Sequence, residues 1–165
     1  MPDLPDAELR DRLTAALGVR RWVEQMVQAA PFDSLDQLVA TGRDRATPLS
    51  GTELDEAVSH HPRIGERASG TGSSARLSQG EQGGLGDTDS EIDDAIALGN
   101  ERYEQQFGRV FLIRAAGRSR ADVLNELRRR LTNEPAIEAE EAEEQLRQIM
   151  ELRLNTLFAD GGAVR

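Results

Sequence analysis

Apolar residues recur three and four positions apart along most of this chain, the spacing that places them on one face of an α-helix. The successive helical patterns have their first inward-facing apolar residues at Leu9, Val19, Leu35, Leu54, Ile92, Val123 and Leu146. One apolar run, from Val110 to Ala116, is too compact to follow a helical period, and Gly108 and Gly117 flank it. We interpret that run as a short, buried, extended crossing segment.

These patterns predict an all-α fold of about seven helices with one short extended crossing segment. The length of 165 residues suits one compact domain with its own core. No internal repeat or linker divides the chain, so we expect residues 1–165 to form a single domain.

Several of the predicted helices begin at a side chain that can cap them. Pairs with the spacing of a capping box include Ser34 with Gln37, Ser50 with Glu53, and Ser119 with Asp122. The last helix is predicted to begin near Pro135. The glutamates between Glu138 and Glu144 are predicted to form a solvated face of that helix.

Composition and charge exclude several classes of function. Hydrophobic residues make up 38% and charged residues 30% of the chain, which is too polar for a membrane span. The net charge of −10 argues against binding to a nucleic-acid backbone. The absence of cysteine excludes disulfides, thiol catalysis and cysteine-ligated zinc. The first residues lack the pattern of a signal peptide and the last four are not a peroxisomal address, so we expect a cytoplasmic protein.

The two histidines, His60 and His61, are adjacent. His61 continues the apolar helical face that begins at Leu54, whereas His60 falls on the polar face, because neighbouring helical residues point about 100° apart. Pro62 restricts the backbone of His61 to extended geometry, so we expect the imidazole at a helix end. Two interpretations stay open: a histidine of a functional site, or a partly buried histidine bonded to a carbonyl.

A second candidate is the segment from Ser78 to Gly84, Ser-Gln-Gly-Glu-Gln-Gly-Gly. Ser78 and Glu81 have capping-box spacing, which is the purely structural interpretation. Three glycines in the first turns of a helix are costly, at about 1 kcal/mol each relative to alanine. They suggest that something approaches this helix N-terminus closely, and such an end suits an anion.

The third candidate is Arg153, which occupies a position on the apolar face formed by Leu146, Met150 and Leu157. An unpaired buried charge is very costly, so this guanidinium needs a partner. A structural Asp or Glu and a ligand carboxylate both satisfy that need.

Together these candidates supply an imidazole, a carboxylate, hydrogen-bonding groups and a cation for an anion. A Ser-His-Asp hydrolase is disfavoured, since the chain has no nucleophile-elbow motif. Metal chemistry is disfavoured because the one inward histidine has no second histidine three or four residues away. Proton-transfer chemistry on a small anion, without a cofactor, is what this set of residues favours.

The run His61-Pro62-Arg63-Ile64-Gly65-Glu66 resembles the HPxIG element of the 2-oxo-4-hydroxy-4-carboxy-5-ureidoimidazoline (OHCU) decarboxylases, enzymes of uric acid breakdown. The run from Ser78 to Gln82 is similar to the SxxEQ element of that family. Further similar segments follow in the family's order: Arg21–Val23 with Pro31–Phe32, Asn100–Tyr103 with Phe107–Gly108, Phe111–Ile113 with Gly117, Arg130–Glu134, and Ile149–Leu154. The resemblance spans about residues 10–158, and the loop at 67–77 is its least similar part.

The resemblance implies a helical fold and the decarboxylation of OHCU to (S)-allantoin and CO₂, without metal or organic cofactor. It assigns His61 as the acid/base and Glu81 as its carboxylate partner, which either orients the imidazole or binds substrate. The residues expected to line the substrate are Pro62, Ser78, Gln82 and Arg153, with main-chain groups of Phe111, Leu112 and Ile113. The implied partner is a small anionic ureidoimidazoline substrate, and neither a nucleic acid nor a membrane is expected to bind. The resemblance is also compatible with a homodimer.

Two other functions compete with this one. An acidic helical interaction module without catalysis would explain the negative charge and the glutamates of the last helix. A related lyase or hydrolase acting on another ureide would share the motifs and differ in the 67–77 loop.

Overall fold

The structure, a computed structural model, describes residues 4–59, 61 and 90–159. These residues form seven helices: α1 (Asp6–Ala16), α2 (Arg20–Ala29), α3 (Leu35–Arg45), α4 (Gly51–Val58), α5 (Ser90–Phe107), α6 (Arg120–Arg130) and α7 (Pro135–Phe158). No β-strand occurs in the described ranges. The predicted all-α class is therefore confirmed.

The chain divides into two compact units. Unit 1 runs to Ala57 and resumes at Leu146, whereas unit 2 is Val58–Gln145. Each unit has its own buried apolar residues. The assignment of residues 1–165 to one domain stays a prediction.

Unit 1 is centred on Trp22, whose side chain is fully buried. Its indole Nε1 donates to the carbonyl oxygen of Gly42 at 2.9 Å, which joins α2 to α3. A Cβ on Gly42 would lie 3.0 Å from Cδ1 of Leu154 and 3.3 Å from Sδ of Met150. The glycine therefore allows α3 to pack directly against the second half of α7.

The core of unit 2 brings the residues after α5 against α5 and α6. Phe111 and Ile113 are buried with Tyr103 of α5 and Leu127 of α6. The rings of Tyr103 and Phe111 meet edge to face, with centroids 5.2 Å apart. Residues 110–115 have no regular secondary structure and are mostly buried, so the burial and the lack of helix predicted for Val110–Ala116 are confirmed, and its extended conformation stays a prediction.

The two glycines that flank the crossing segment have positive φ angles, in the left-handed region of backbone conformation. Gly108 has a φ of +74° and Gly117 a φ of +80°, and other residues rarely adopt such values. Gly108 directly follows the last residue of α5, and its N–H donates to the carbonyl oxygen of Glu104 at 2.9 Å. The chain can therefore leave α5 sharply and enter the core.

The capping boxes predicted at Ser50 and Ser119 are complete, with reciprocal bonds of 3.0 to 3.1 Å. The box predicted at Ser34 is only half formed. The Ser34 hydroxyl accepts from the Gln37 N–H at 3.1 Å. However, the Gln37 side chain accepts from the N–H of Asp33 at 2.5 Å. The prediction was wrong in that half, because the glutamine side chain reaches one residue further back.

Candidate active site

His61 lies just beyond the end of α4. The apolar face of that helix is buried at Leu54, Ala57 and Val58. The N–H of His61 donates to the carbonyl oxygen of Val58 at 3.0 Å, and the side chain is partly buried. The structure thus places His61 just after a helix end, as predicted, but α4 ends at Val58, so His61 does not continue its apolar helical face.

The N-terminus of α4 is held by an ion pair as well as by its capping box. Arg21 of α2 donates to both carboxylate oxygens of Glu53, at 2.5 and 3.1 Å. The hydrogen bond from Arg21 is the largest of the effects on the Glu53 pKa, and it holds the pKa of that carboxyl below its usual value. This two-pronged contact joins α4 to α2.

The crossing segment is anchored by a buried arginine. Nη1 of Arg130, at the end of α6, donates to the carbonyl oxygen of Leu112 at 2.7 Å. The guanidinium also lies over the ring of Phe111, 4.6 Å from its centroid. Arg130 is only 1% exposed, so this contact is shielded from solvent.

The charge of Arg130 is balanced by Glu138 in the first turn of α7. Nε of Arg130 donates to the two carboxylate oxygens at 3.1 and 3.0 Å, and Nη2 donates to Oε2 as well. The Tyr103 hydroxyl and the Asn133 side-chain amide also donate to this carboxylate. Burial and the bond to Glu138 raise the pKa of the Tyr103 hydroxyl, which therefore stays a donor.

Glu138 corrects the prediction of a solvated acidic face, because it is 0% exposed. It lies four residues before the buried Ala142 and eight before Leu146, so it extends the apolar face of α7 towards the N-terminus. Arg130 likewise follows the buried Val123 and Leu127 at helical spacing. The same signal that singled out Arg153 was present at both positions and was missed.

A second, more exposed carboxylate cluster adjoins this pair. Glu141 accepts from Nη2 of Arg129 at 2.6 Å and from the Asn133 amide at 2.5 Å. The bond from Arg129 lowers the pKa of the Glu141 carboxyl. Asn133 therefore links the buried Glu138 to the partly exposed Glu141.

Arg153 is buried in unit 1, with 2% of its surface exposed. Its Nη1 donates to the carbonyl oxygen of Ala15 at 3.0 Å. Ala15 lies in the last turn of α1, where main-chain carbonyls lack a partner within the helix. One partner of this guanidinium is thus a helix-end carbonyl, a kind of partner that neither sequence-based alternative named.

The other predicted site residues are Pro62, Ser78, Glu81 and Gln82, and all four lie outside the described residues. The structure places His61 and Phe111–Ile113 in unit 2 and Arg153 in unit 1. The grouping of these residues into one site stays a prediction.

The described residues include neither a membrane-spanning helix nor a cluster of metal ligands. No helix within them is both long and apolar enough to cross a membrane. Residues 4–59, 61 and 90–159 contain no group of three or more His, Asp or Glu side chains that could hold a metal ion.

Known proteins resemble this chain over most of its length. The family model for OHCU decarboxylase matches residues 2–155. The uric acid degradation bifunctional protein TTL of Arabidopsis thaliana is 33% identical over 158 residues, which cover 93% of this chain and 48% of that protein. The 2-oxo-4-hydroxy-4-carboxy-5-ureidoimidazoline decarboxylase of Mus musculus is 35% identical over 115 residues, 68% of this chain and 64% of that protein.

A solved structure agrees with this similarity. A crystal structure of OHCU decarboxylase in the presence of (S)-allantoin matches with a TM-score of 0.78 and 30% identity. The match covers 91% of this chain and 99% of that chain. This chain spans about half the length of the Arabidopsis relative.

Proposed function

Because this chain belongs to the OHCU decarboxylase family, we propose that it converts OHCU to (S)-allantoin and CO₂ in uric acid degradation. The observation that carries the proposal is the family match over residues 2–155, which takes in every motif named above. The reaction class is a carboxy-lyase step that needs neither a metal nor an organic cofactor.

The chemistry suits the residues available. The bond between the ring carbon and its carboxylate breaks, and CO₂ leaves without the bonding electrons. The neighbouring ring carbonyl and C=N group accept that electron pair, so the substrate is its own electron sink. A proton then adds on one face of the ring to the adjacent carbon, which bears the ureido group, while the 4-hydroxyl gives up its proton and becomes a ring carbonyl. The face that is protonated sets the configuration of the product. The protein has to orient the carboxylate, stabilise the developing charge and deliver one proton.

We assign the proton delivery to His61, since an imidazole titrates near neutral pH and general acid–base catalysis contributes about 10²–10⁴-fold. The position of His61 after the end of α4 supports this role. Glu81 is its proposed carboxylate partner, acting on the imidazole or on the substrate.

The proposed substrate contacts come from five side chains or segments. They are Pro62, Ser78, Gln82, Arg153 and the main chain of Phe111–Ile113. Arg153 supports this assignment by its burial, because a buried guanidinium binds a carboxylate strongly. The main-chain groups of the crossing segment support it because that segment belongs to no helix or strand. The proposed setting is a cytoplasmic enzyme, and a homodimer is its proposed assembly.

The test is an assay of this chain with freshly generated OHCU, followed by circular dichroism. OHCU decays spontaneously to racemic allantoin, so the enzyme must both accelerate the reaction and produce optically active (S)-allantoin. An accelerated loss of OHCU without (S)-allantoin would favour a related ureide enzyme. No acceleration at all would favour the acidic interaction module.

A further inference from the structure

We propose that Arg130 and Gln145 are positioning residues that fix the peptide groups of the crossing segment for catalysis. The inference rests on the proposed function, in which the main chain of Phe111–Ile113 contacts the substrate. Neither residue is assigned a contact with the substrate itself.

The crossing segment needs such anchors because no secondary structure orients its peptide groups. Residues 110–115 belong to no helix or strand. The flanking Gly108 and Gly117 have left-handed backbone angles, so neither neighbouring helix continues into the segment. A peptide group that no ladder holds can rotate and so exchange the direction of its N–H and carbonyl. Side chains from elsewhere must therefore select one orientation.

Two side chains make that selection on either side of Ile113. Arg130 donates to the Leu112 carbonyl at 2.7 Å. The side-chain oxygen of Gln145 accepts from the Arg114 N–H at 2.8 Å. With the carbonyl before Ile113 and the N–H after it both fixed, the two peptide groups around that residue have defined directions.

A single helix controls both anchors. Glu138 and Gln145 are seven residues apart on α7, which places them on the same face, two turns from each other. Glu138 orients the Arg130 guanidinium, and Gln145 binds the crossing segment directly. The first half of α7 thus acts as the template against which the segment is held.

The ion pair with Glu138 leaves the Nη1 group of Arg130 to bind the backbone. Nε and Nη2 are committed to Glu138, and Nη1 reaches Leu112. The Tyr103 hydroxyl and the Asn133 amide occupy further lone pairs of the same carboxylate. A buried ion pair is often no more stable than an apolar replacement of similar volume. The positioning of Leu112 gives this pair a role that such a replacement would lack.

The experiment replaces the pair without leaving a buried charge. The double variant Arg130→Met/Glu138→Leu removes both charges and keeps similar volume, so we expect a folded protein. Its kcat for OHCU should fall about 10²-fold, the scale of a misplacement of about 1 Å. The enantiomeric excess of the allantoin should fall as well, because a rotated peptide group no longer holds one face of the ring. The matched control is Arg129→Met, since Arg129 is adjacent to Arg130 but donates to Glu126 and Glu141.

A second variant keeps the buried pair intact. Gln145→Leu removes only the acceptor for the Arg114 N–H, and in the folded variant kcat and the enantiomeric excess should both be lower. Wild-type values of kcat, KM and enantiomeric excess in the folded Gln145→Leu variant would overturn the inference, whatever the double variant does. Wild-type protein that fails to decarboxylate OHCU would instead overturn the proposed function, and the positioning role with it.

Discussion

Arg153 of α7 donates to the carbonyl oxygen of Ala15 at the end of α1, and an arginine of α1 makes the equivalent contact with the end of α7. Arg12 of α1 donates to the carbonyl oxygen of Leu157 in the last turn of α7, at 2.9 Å. The last carbonyls of a helix lack intrahelical partners and carry partial negative charge. Each helix therefore supplies a cation to the C-terminus of the other.

This exchange gives the first prediction, which separates the structural share of Arg153 from its proposed role at the substrate. Arg153→Met and Arg12→Met each remove one charged donor to a helix-end carbonyl, and each should cost about 1–3 kcal/mol of stability. Only Arg153→Met should also lower turnover by two or more orders of magnitude, and Arg153→Lys should rescue it in part, because lysine lacks the planar fork. Thermal unfolding and steady-state kinetics measure both effects. Equal kinetic losses in the two methionine variants would show that Arg153 is structural only.

The second prediction concerns the adjacent histidines. His61→Asn should abolish the production of optically active allantoin, since it removes the proposed proton donor. His60→Asn should be nearly silent, because the sequence pattern predicts His60 on the polar side and no role is assigned to it. Circular dichroism of the product, with Tm as a check on folding, decides between them. Equal losses from both substitutions would remove His61 from the assignment.

Third, activity should survive exhaustive chelation. The proposed reaction uses the substrate ring as electron sink and places no step on a metal. The measurement is kcat/KM after prolonged dialysis against a strong chelator, with the metal content determined in parallel. A loss that a divalent ion restores would contradict the cofactor-free mechanism.

Fourth, the Arg21–Glu53 pair should contribute acid-sensitive stability. Arg21 lowers the pKa of Glu53 below its ordinary value of 4.5. The folded state therefore binds this proton less readily than the unfolded state, and the contribution is present above about pH 4.5 and lost as the pH falls through the lower folded value. Both side chains are partly exposed, so the contribution should be no more than about 1 kcal/mol.

Urea unfolding of wild type and Glu53→Gln between pH 7 and pH 3 tests this contribution. The difference in unfolding free energy should shrink towards acid pH. Arg21→Met should show the same convergence, and the double variant should add nothing further. A gap that widens on acidification would contradict the assignment.

The fifth prediction tests the close packing of α5 against α6. A Cβ on Gly99 would lie 2.5 Å from Cδ2 and 3.0 Å from Cγ of the fully buried Leu127. Gly99→Ala should destabilise the protein, since overpacking of about 1–3 kcal/mol outweighs the helix-propensity gain of up to about 1 kcal/mol. Gly51→Ala is the matched control, because a Cβ there meets nothing within 4 Å. Adding Leu127→Ala to Gly99→Ala should cost less than the two separate losses combined.

The helices and their starts were readable from the sequence because their causes are local. Apolar spacing marked the helical faces, and the Ser50 and Ser119 boxes join residues only three apart. The crossing segment was equally visible, since seven residues without helical period between Gly108 and Gly117 have few alternatives to a buried irregular run. The family was recognisable for a related reason, as its motifs are short and lie in a fixed order along the chain.

The partners of the buried charges were decided only by tertiary structure. A charged residue on an apolar helical face shows that a partner is needed, and this signal was present at Arg153, Arg130 and Glu138. It does not say which partner, because the carbonyl that Arg153 binds lies 138 residues away and the one that Arg130 binds lies 18 residues away. Such carbonyls carry no mark in the sequence, since every residue has one. Packing alone determines which of them lies within reach of a guanidinium, and so the anchoring of the crossing segment belongs to the fold and not to any local pattern.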